Sequence, residues 1–179
     1  FKLRGYMHDV GRSYIPAEEL VKQIELFSRF KVNTFHWHLT ENQAWRFEVK
    51  AYPALTSAES MTRFPGKYYT QEDCKAVMAA AQKHGVIVIP EIDMPGHSEA
   101  FKRAMGFDMQ SEEGKKVLKA ALDEVAQVFA DAPYIHIGGD EVSTTPAYLN
   151  EMIAYIESKG KKAGIWNPIN GISQNQLNA

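Results

Sequence analysis

The sequence predicts an α/β protein of the (β/α)8 barrel type, incomplete here, with about five parallel βα units. Three observations lead to this. Short apolar segments alternate repeatedly with segments of helical periodicity, the pattern of a parallel sheet with helices outside it. Acids, histidines and tryptophans follow the C-terminal ends of most strand segments, where barrel proteins build their sites. An open nucleotide-binding sheet would carry a glycine-rich loop after its first strand, and "MHDVGRSYIP" is not one. A whole barrel needs roughly 250 residues, whereas the chain has 179. About three units are therefore expected to be absent, with residues 1–179 forming one partial domain.

The elements follow in order. "KLRGYMHDVGR" reads as a strand entering a turn, and "PAEELVKQIELFSRFK" as a helix opened by Pro16, with Leu20, Ile24 and Phe27 on one face. "VNTFHWHLT" is β-branched and aromatic, a strand. A long polar-aromatic connection then runs to Thr70, which with Asp73 fits the capping pattern of a helix closed by Gly85. "VIVIPEID" is nearly all apolar, as a strand buried on both faces should be. "SEEGKKVLKAALDEVAQVFAD" is the third helix and "YIHIGGDEV" the fourth strand. "TPAYLNEMIAYIESKG" and "KAGIWNP" complete the series as helix and strand.

Composition narrows the partners. A formal net charge of -2 leaves no basic footprint for nucleic acid, and no apolar run is long enough to span a membrane. The single cysteine, Cys74, lies among alanines at helical spacing and is expected to pack in the core. Because the chain starts at Phe1 with no leader-like segment, it reads as an excised or processed piece, and its localisation is not legible.

Two chemistries compete at the strand ends. In "HWH", His36 and His38 share one strand face, as in barrel metallohydrolases, although inward-facing histidines that hydrogen-bond within the barrel have the same spacing. The alternative is acid catalysis by Asp140 and Glu141, framed by Gly138 and Gly139, which let backbone approach a ligand. Neighbouring carboxylates can divide the work of glycoside cleavage, one protonating the leaving oxygen and the other managing charge at the sugar. Trp45 and Trp166 fall where an aromatic face could stack on a sugar ring, with core packing the alternative for each. Trp37 alternates away from the histidines, toward a helix.

The blocks "RGYMHDVGR", "NTFHWHLTENQAWRFEVKAYP", "PEIDMPGHS" and "HIGGDEV" closely resemble, in order, the catalytic barrel of glycoside hydrolase family 20, the β-N-acetylhexosaminidases. The resemblance implies a (β/α)8 barrel acting on glycans with a terminal N-acetylglucosamine or N-acetylgalactosamine. It also implies a retaining mechanism in which the substrate's own acetamido carbonyl attacks the anomeric carbon. Carried over by position, Asp140 orients the acetamido group, and Glu141 is the general acid and then the base. Arg4 clamps ring hydroxyls, His97 lies near the general acid, and Trp166 lines the acetamido pocket. Asp93, Glu41 and His38 are supporting residues. The family commonly shows an aspartate pair where this chain has Glu41-Asn42, which puts the geometry of the contact between Glu41 and His97 in question. The resemblance implies no cofactor and no metal, and a secreted, periplasmic or lysosomal-type compartment. A non-catalytic carbohydrate-binding or structural fragment and a metal-dependent barrel hydrolase stand as the competing readings. Two open sheet edges predict that the isolated piece self-associates.

Overall fold

The computed structural model describes residues 1–178. One sheet of five parallel strands, in chain order, carries the helices: β1 (Gly5–Asp9), β2 (Thr34–His38), β3 (Ile87–Glu91), β4 (Tyr134–His136) and β5 (Lys162–Gly164). Each βα crossover returns the chain to the next position along the sheet, as parallel pairing requires.

Alternation along β2 separates the two faces of the sheet. Phe35 and Trp37 are wholly buried on one face, where Trp37 meets the rings of Tyr69 and Phe129 edge-on. His36 and His38 lie on the other. The strand register then aligns chemistry across the sheet: Asp9 pairs with His38, His38 with Glu91, Glu91 with His136, and His136 with Gly164. A row of polar residues thus crosses the C-terminal ends of four strands and meets Gly164 on the fifth.

The helices form where periodicity and caps agree. α1 (Ala17–Ser28) follows Pro16 and buries Leu20 and Ile24. α2 (Gln71–Lys83) starts with a complete Thr70–Asp73 capping box and buries Cys74 and Val77. α4 (Glu112–Val128) is capped by the Ser111 hydroxyl, which accepts the Gly114 N–H, and buries Val117, Leu118, Ala121, Leu122 and Val125. α5 (Pro146–Ser158) has Thr145 as its cap and Pro146 in the first turn. Burying such a stripe of aliphatic side chains contributes about 1.5–3 kcal/mol per fully buried residue, before the cost of ordering the chain.

One helix departs from the sequence reading. α3 (Glu99–Met105) lies in "SEAFKRAM", within the segment expected to connect strand to helix, and ends at Gly106 in the left-handed conformation. The tryptophan alternatives also resolve for two of the three. Trp45 is buried with its indole N–H on the Phe47 carbonyl at 2.7 Å, so it is core and not a sugar platform, and Trp37 is core as expected. No helix of the described residues is long and apolar enough to cross a membrane.

Candidate active site

Glu91 is the centre of the polar row. It ends β3 fully buried, with Oε2 at 2.7 Å from His36 Nε2 and 2.8 Å from His38 Nδ1, while Oε1 accepts the Trp166 indole N–H at 3.1 Å. His136 Nδ1 lies 3.2 Å from Oε1 and also receives the Gly138 N–H at 3.1 Å. One ring nitrogen serves only one of these contacts, and the amide bond has the better alignment. Burial by itself would push the Glu91 carboxyl upward, but the surrounding ring nitrogens outweigh it and hold it far below the usual carboxylate range. His38 moves up: its own burial opposes the charge, and the Glu91 carboxylate outweighs that. Glu91 had no role assigned from sequence. Its only signal there was its place among acids at strand ends.

His97 joins the strand-end acids. Its Nδ1 contacts Glu41 Oε1, its Nε2 lies 2.7 Å from Glu141 Oε2, and Asp93 Oδ2 stands 3.9 Å away. The Glu41 contact, with charge from Asp93, Glu41 and Glu141, outweighs partial burial and raises the His97 pKa to about 9. The ring is therefore an imidazolium at neutral pH. Glu41 also meets Arg12 Nη2 at 2.5 Å. Its own pKa is lowered, because His97 and the Asn42 amide outweigh burial. The longer glutamate thus spans the distance to His97. Gly11 gives it room, since a Cβ at that position would overlap the Glu41 side chain.

Asp93 is the buried acid of the group, and its environment raises its pKa to about 7, by burial first and then by the charge of Glu91. Its Oδ1 is buried without a hydrogen-bond partner. Gly138, at φ 67°, passes so close that any Cβ there would overlap the Asp93 carboxylate. The following residues carry the acid pair. Glu141 holds a left-handed backbone, φ 64°, as does His97 at φ 48°, a conformation that is uncommon outside glycine.

These residues enclose a cavity of about 190 Å³, whose walls include Asp9, Arg12, Asp140, Glu141, His97 and Trp166. Trp166 stacks on His36, with ring centres 5.3 Å apart and planes 15° from parallel. Of the residues singled out from sequence, Asp140, Glu141, His97, Trp166, Glu41, Asp93 and His38 come together here. Arg4 does not. It precedes β1 at the N-terminal end of the strand, where its guanidinium binds the Lys31 carbonyl at 2.5 Å and the Phe1 carbonyl. The cavity's arginine is Arg12, beyond the C-terminal end of the same strand, paired with Asp9 at 2.8 Å and half exposed. The RG block fixed which strand this was. It did not show which of the two flanking arginines stands at the site end.

Three sets of donors are close enough to share a metal ion: His36, Glu91 and His136; Asp9, His38 and Glu41; and His38, Glu91 and Asp93. In the first two, hydrogen-bond and ion-pair contacts already engage the donors, whereas in the third Asp93 Oδ1 has no hydrogen-bond partner. Glu91 carries two imidazoles and an indole N–H, and Glu41 carries His97 and Arg12. The donor chemistry is that of a proton-sharing network more than of a ligand set with an open position.

The sequence profile of the glycosyl hydrolase family 20 catalytic domain matches residues 1–110 and 102–171. The chain belongs to this family. Its relatives include a β-hexosaminidase of Porphyromonas gingivalis, 38% identical over 168 residues, covering 79% of this chain and 21% of the relative. One solved neighbour is the β-N-acetylhexosaminidase of Bacteroides fragilis: TM-score 0.84, 34% identity, 92% of this chain and 41% of that one. Another is the family 20 exo-β-N-acetylglucosaminidase of Vibrio harveyi, solved in complex with N-acetylglucosamine: TM-score 0.86, 27% identity, 98% and 37% coverage. The chain spans about a fifth to two fifths of the curated relatives' length, with 21% and 29% of the first two. Its sheet is part of a family 20 (β/α)8 barrel, the fold class expected from the sequence.

Proposed function

We propose that this chain supplies the acid-bearing side of a β-N-acetylhexosaminidase site that cleaves terminal N-acetylhexosamine from glycans with retention of configuration. One observation carries the reading. Asp140 lines only the inner cavity, whereas Glu141, the next residue, lines both that cavity and the cleft beside it. Glycoside cleavage needs this division: one acid beside the sugar that is held, the other at the bond to the group that leaves.

In this reading the sugar's acetamido carbonyl oxygen attacks the anomeric carbon as the bond to the leaving oxygen breaks. Protonated Glu141 delivers its proton to that oxygen, so the aglycone departs neutral. Asp140 accepts the acetamido N–H and offsets the positive charge that the nitrogen acquires as the oxazolinium ring closes. Water then attacks the anomeric carbon from the vacated side, the bond to the acetamido oxygen breaks to restore the acetamide, and Glu141 takes the proton of the water. The His97 imidazolium holds the Glu141 carboxyl in place, braced from behind by Glu41. Arg12 offers guanidinium donors to ring hydroxyls, a geometry suited to vicinal oxygens. Trp166, fixed by Glu91 and His36, supplies an apolar wall for the acetamido methyl group.

The full-length protein that contains this chain, incubated with a β-N-acetylglucosaminide, should release the β-anomer first, as followed by proton NMR. A thiazoline analogue of the oxazolinium should bind far more tightly than N-acetylglucosamine. Release of the α-anomer would overturn the retaining mechanism. Activity lost to chelators and restored by zinc would favour the metal-dependent reading.

A further inference from the structure

Resting on the family 20 reading above, we propose that the cleft beside the acid pair is the leaving-group site, and that its charge selects against anionic aglycones. This cleft, of about 420 Å³, opens from the inner cavity across His97 and Glu141, which wall both. A leaving group protonated by Glu141 departs into it, because the inner cavity holds the sugar on the other side of that carboxyl.

The remaining walls are built from α3, the turn after it and Asn42. Asn42 Oδ1 accepts the Glu99 N–H at 3.2 Å, and Arg103 Nη2 on the same helix donates to the Asn42 carbonyl at 2.5 Å. Gln110 Nε2 donates to the Ser143 carbonyl at 3.2 Å, tying the turn to the loop that carries Glu141. These bonds fix the two sides of the cleft with respect to the acid.

Charge sets the specificity. Glu99 and Asp108 both face the cleft, while its lysine, Lys102, is already shared between Glu99 at 3.0 Å and Asp108 at 3.3 Å. His97 is likewise taken up by Glu41 and Glu141. No uncommitted cation remains among the lining residues to receive a carboxylate or sulfate. The spare acceptors instead match the hydroxyl and amide N–H groups of a neutral sugar. Uronic and sulfated sugars meet like charge in a partly enclosed space, where screening is incomplete.

The test compares two disaccharides on the full-length protein: N,N′-diacetylchitobiose, whose leaving sugar is neutral, and N-acetylglucosaminyl-β-1,4-glucuronic acid, whose leaving sugar is anionic. The readout is the ratio of their kcat/KM values, which is independent of the fraction of folded enzyme. Wild type should favour the neutral disaccharide by roughly tenfold or more, and Glu99→Gln and Asp108→Asn should each narrow the ratio by about threefold. The isosteric Asn keeps the oxygen that accepts the Gln110 N–H at 2.8 Å. The narrowing should shrink at high salt. A wild-type ratio near one, or a ratio unchanged when Glu99→Gln and Asp108→Asn are combined, would overturn the cleft assignment while leaving the enzymatic reading intact. A wild type that hydrolyses neither disaccharide nor an aryl N-acetylglucosaminide would overturn both.

Discussion

His97 Nε2 stands 2.7 Å from Glu141 Oε2, and both residues hold left-handed backbones, at φ 48° and 64°. Such a backbone costs on the order of 1–3 kcal/mol for a residue with a side chain. Two adjoining loops therefore carry strain at the point where their side chains meet. The surroundings over-determine the arrangement: Gly96 packs against the Asp140 backbone, Gly138 against the Asp93 carboxylate, and Glu41 against the far side of the His97 ring. The strain sits where the proposed proton donor must be aimed.

Glu141→Gln keeps the side-chain shape and removes the proton. In the full-length protein it should reduce kcat/KM on N,N′-diacetylchitobiose by roughly 10²–10⁴, the usual contribution of a general acid. A dinitrophenyl glycoside needs little protonation and should lose far less. Equal losses on the two substrates would rule out Glu141 as the acid.

Asp140→Asn should act on both substrates alike. The charge on the closing oxazolinium ring is independent of the leaving group, so the loss should be about 10²-fold or more for each, in kcat more than in KM. Unaltered rates would remove Asp140 from the mechanism.

The Asp93 environment gives a pH signature. Its folded pKa, about 7, lies above the ordinary 3.8, so folding favours the protonated form. The stability this contributes is full below about pH 4 and is lost as pH rises through about 7. His97, also raised, loses its contribution as pH climbs through about 9. Asp93→Asn cannot ionise. Its melting temperature relative to wild type should rise between about pH 5 and about pH 8.5. A constant difference across that range would mean that Asp93 is already ionised at low pH in the folded protein.

How much of this was legible in the sequence depended on distance along the chain. The histidine face of β2 follows from period two, and the helix cap of Thr70 with Asp73 is local. Glu91 was not legible as a centre because its partners come from β2, β4 and the end of β5, and only strand register brings them together. Arg4 and Arg12 flank one strand, whose five residues separate them by more than about 15 Å. A sequence block gives no indication of which end faces the ligand. α3 escaped because it has seven residues and no side-chain cap at Ser98, leaving Gly106 as its only boundary signal.

β1 and β5 are the outer strands of the described sheet. Phe1 and Leu3 before β1 and Met7 within it are exposed, and an unpaired edge with apolar neighbours invites pairing with another chain. The 179-residue chain on its own should sediment as dimers or larger species at micromolar concentration, with Leu3→Lys shifting it toward monomer. A monodisperse monomer of the unaltered chain would show that the edge is already protected.

Arg46 links the long connection after β2 to the site. Its side chain is wholly buried, and its guanidinium donates to five backbone carbonyls. Nε donates to the Val10 carbonyl at 2.9 Å, Nη2 to Gly11 at 3.1 Å and Arg63 at 2.7 Å, and Nη1 to Phe64 at 3.0 Å and Lys67 at 2.5 Å. Burial lowers its pKa to about 10, so the group remains charged at neutral pH, held by carbonyl dipoles. It therefore closes the 63–67 turn onto the backbone that leads into Arg12. A lysine has no planar fork and can satisfy at most three acceptors, so Arg46→Lys leaves buried carbonyls unpaired at about 1–3 kcal/mol each. The full-length Arg46→Lys protein should lose roughly 3 kcal/mol or more of unfolding free energy. Because the released segment carries Arg12, KM for the aryl glycoside should rise by more than kcat falls. Stability lost with KM unchanged would confine Arg46 to the fold. Stability retained would mean that the five carbonyls find other partners, and that the cavity wall does not depend on this arginine.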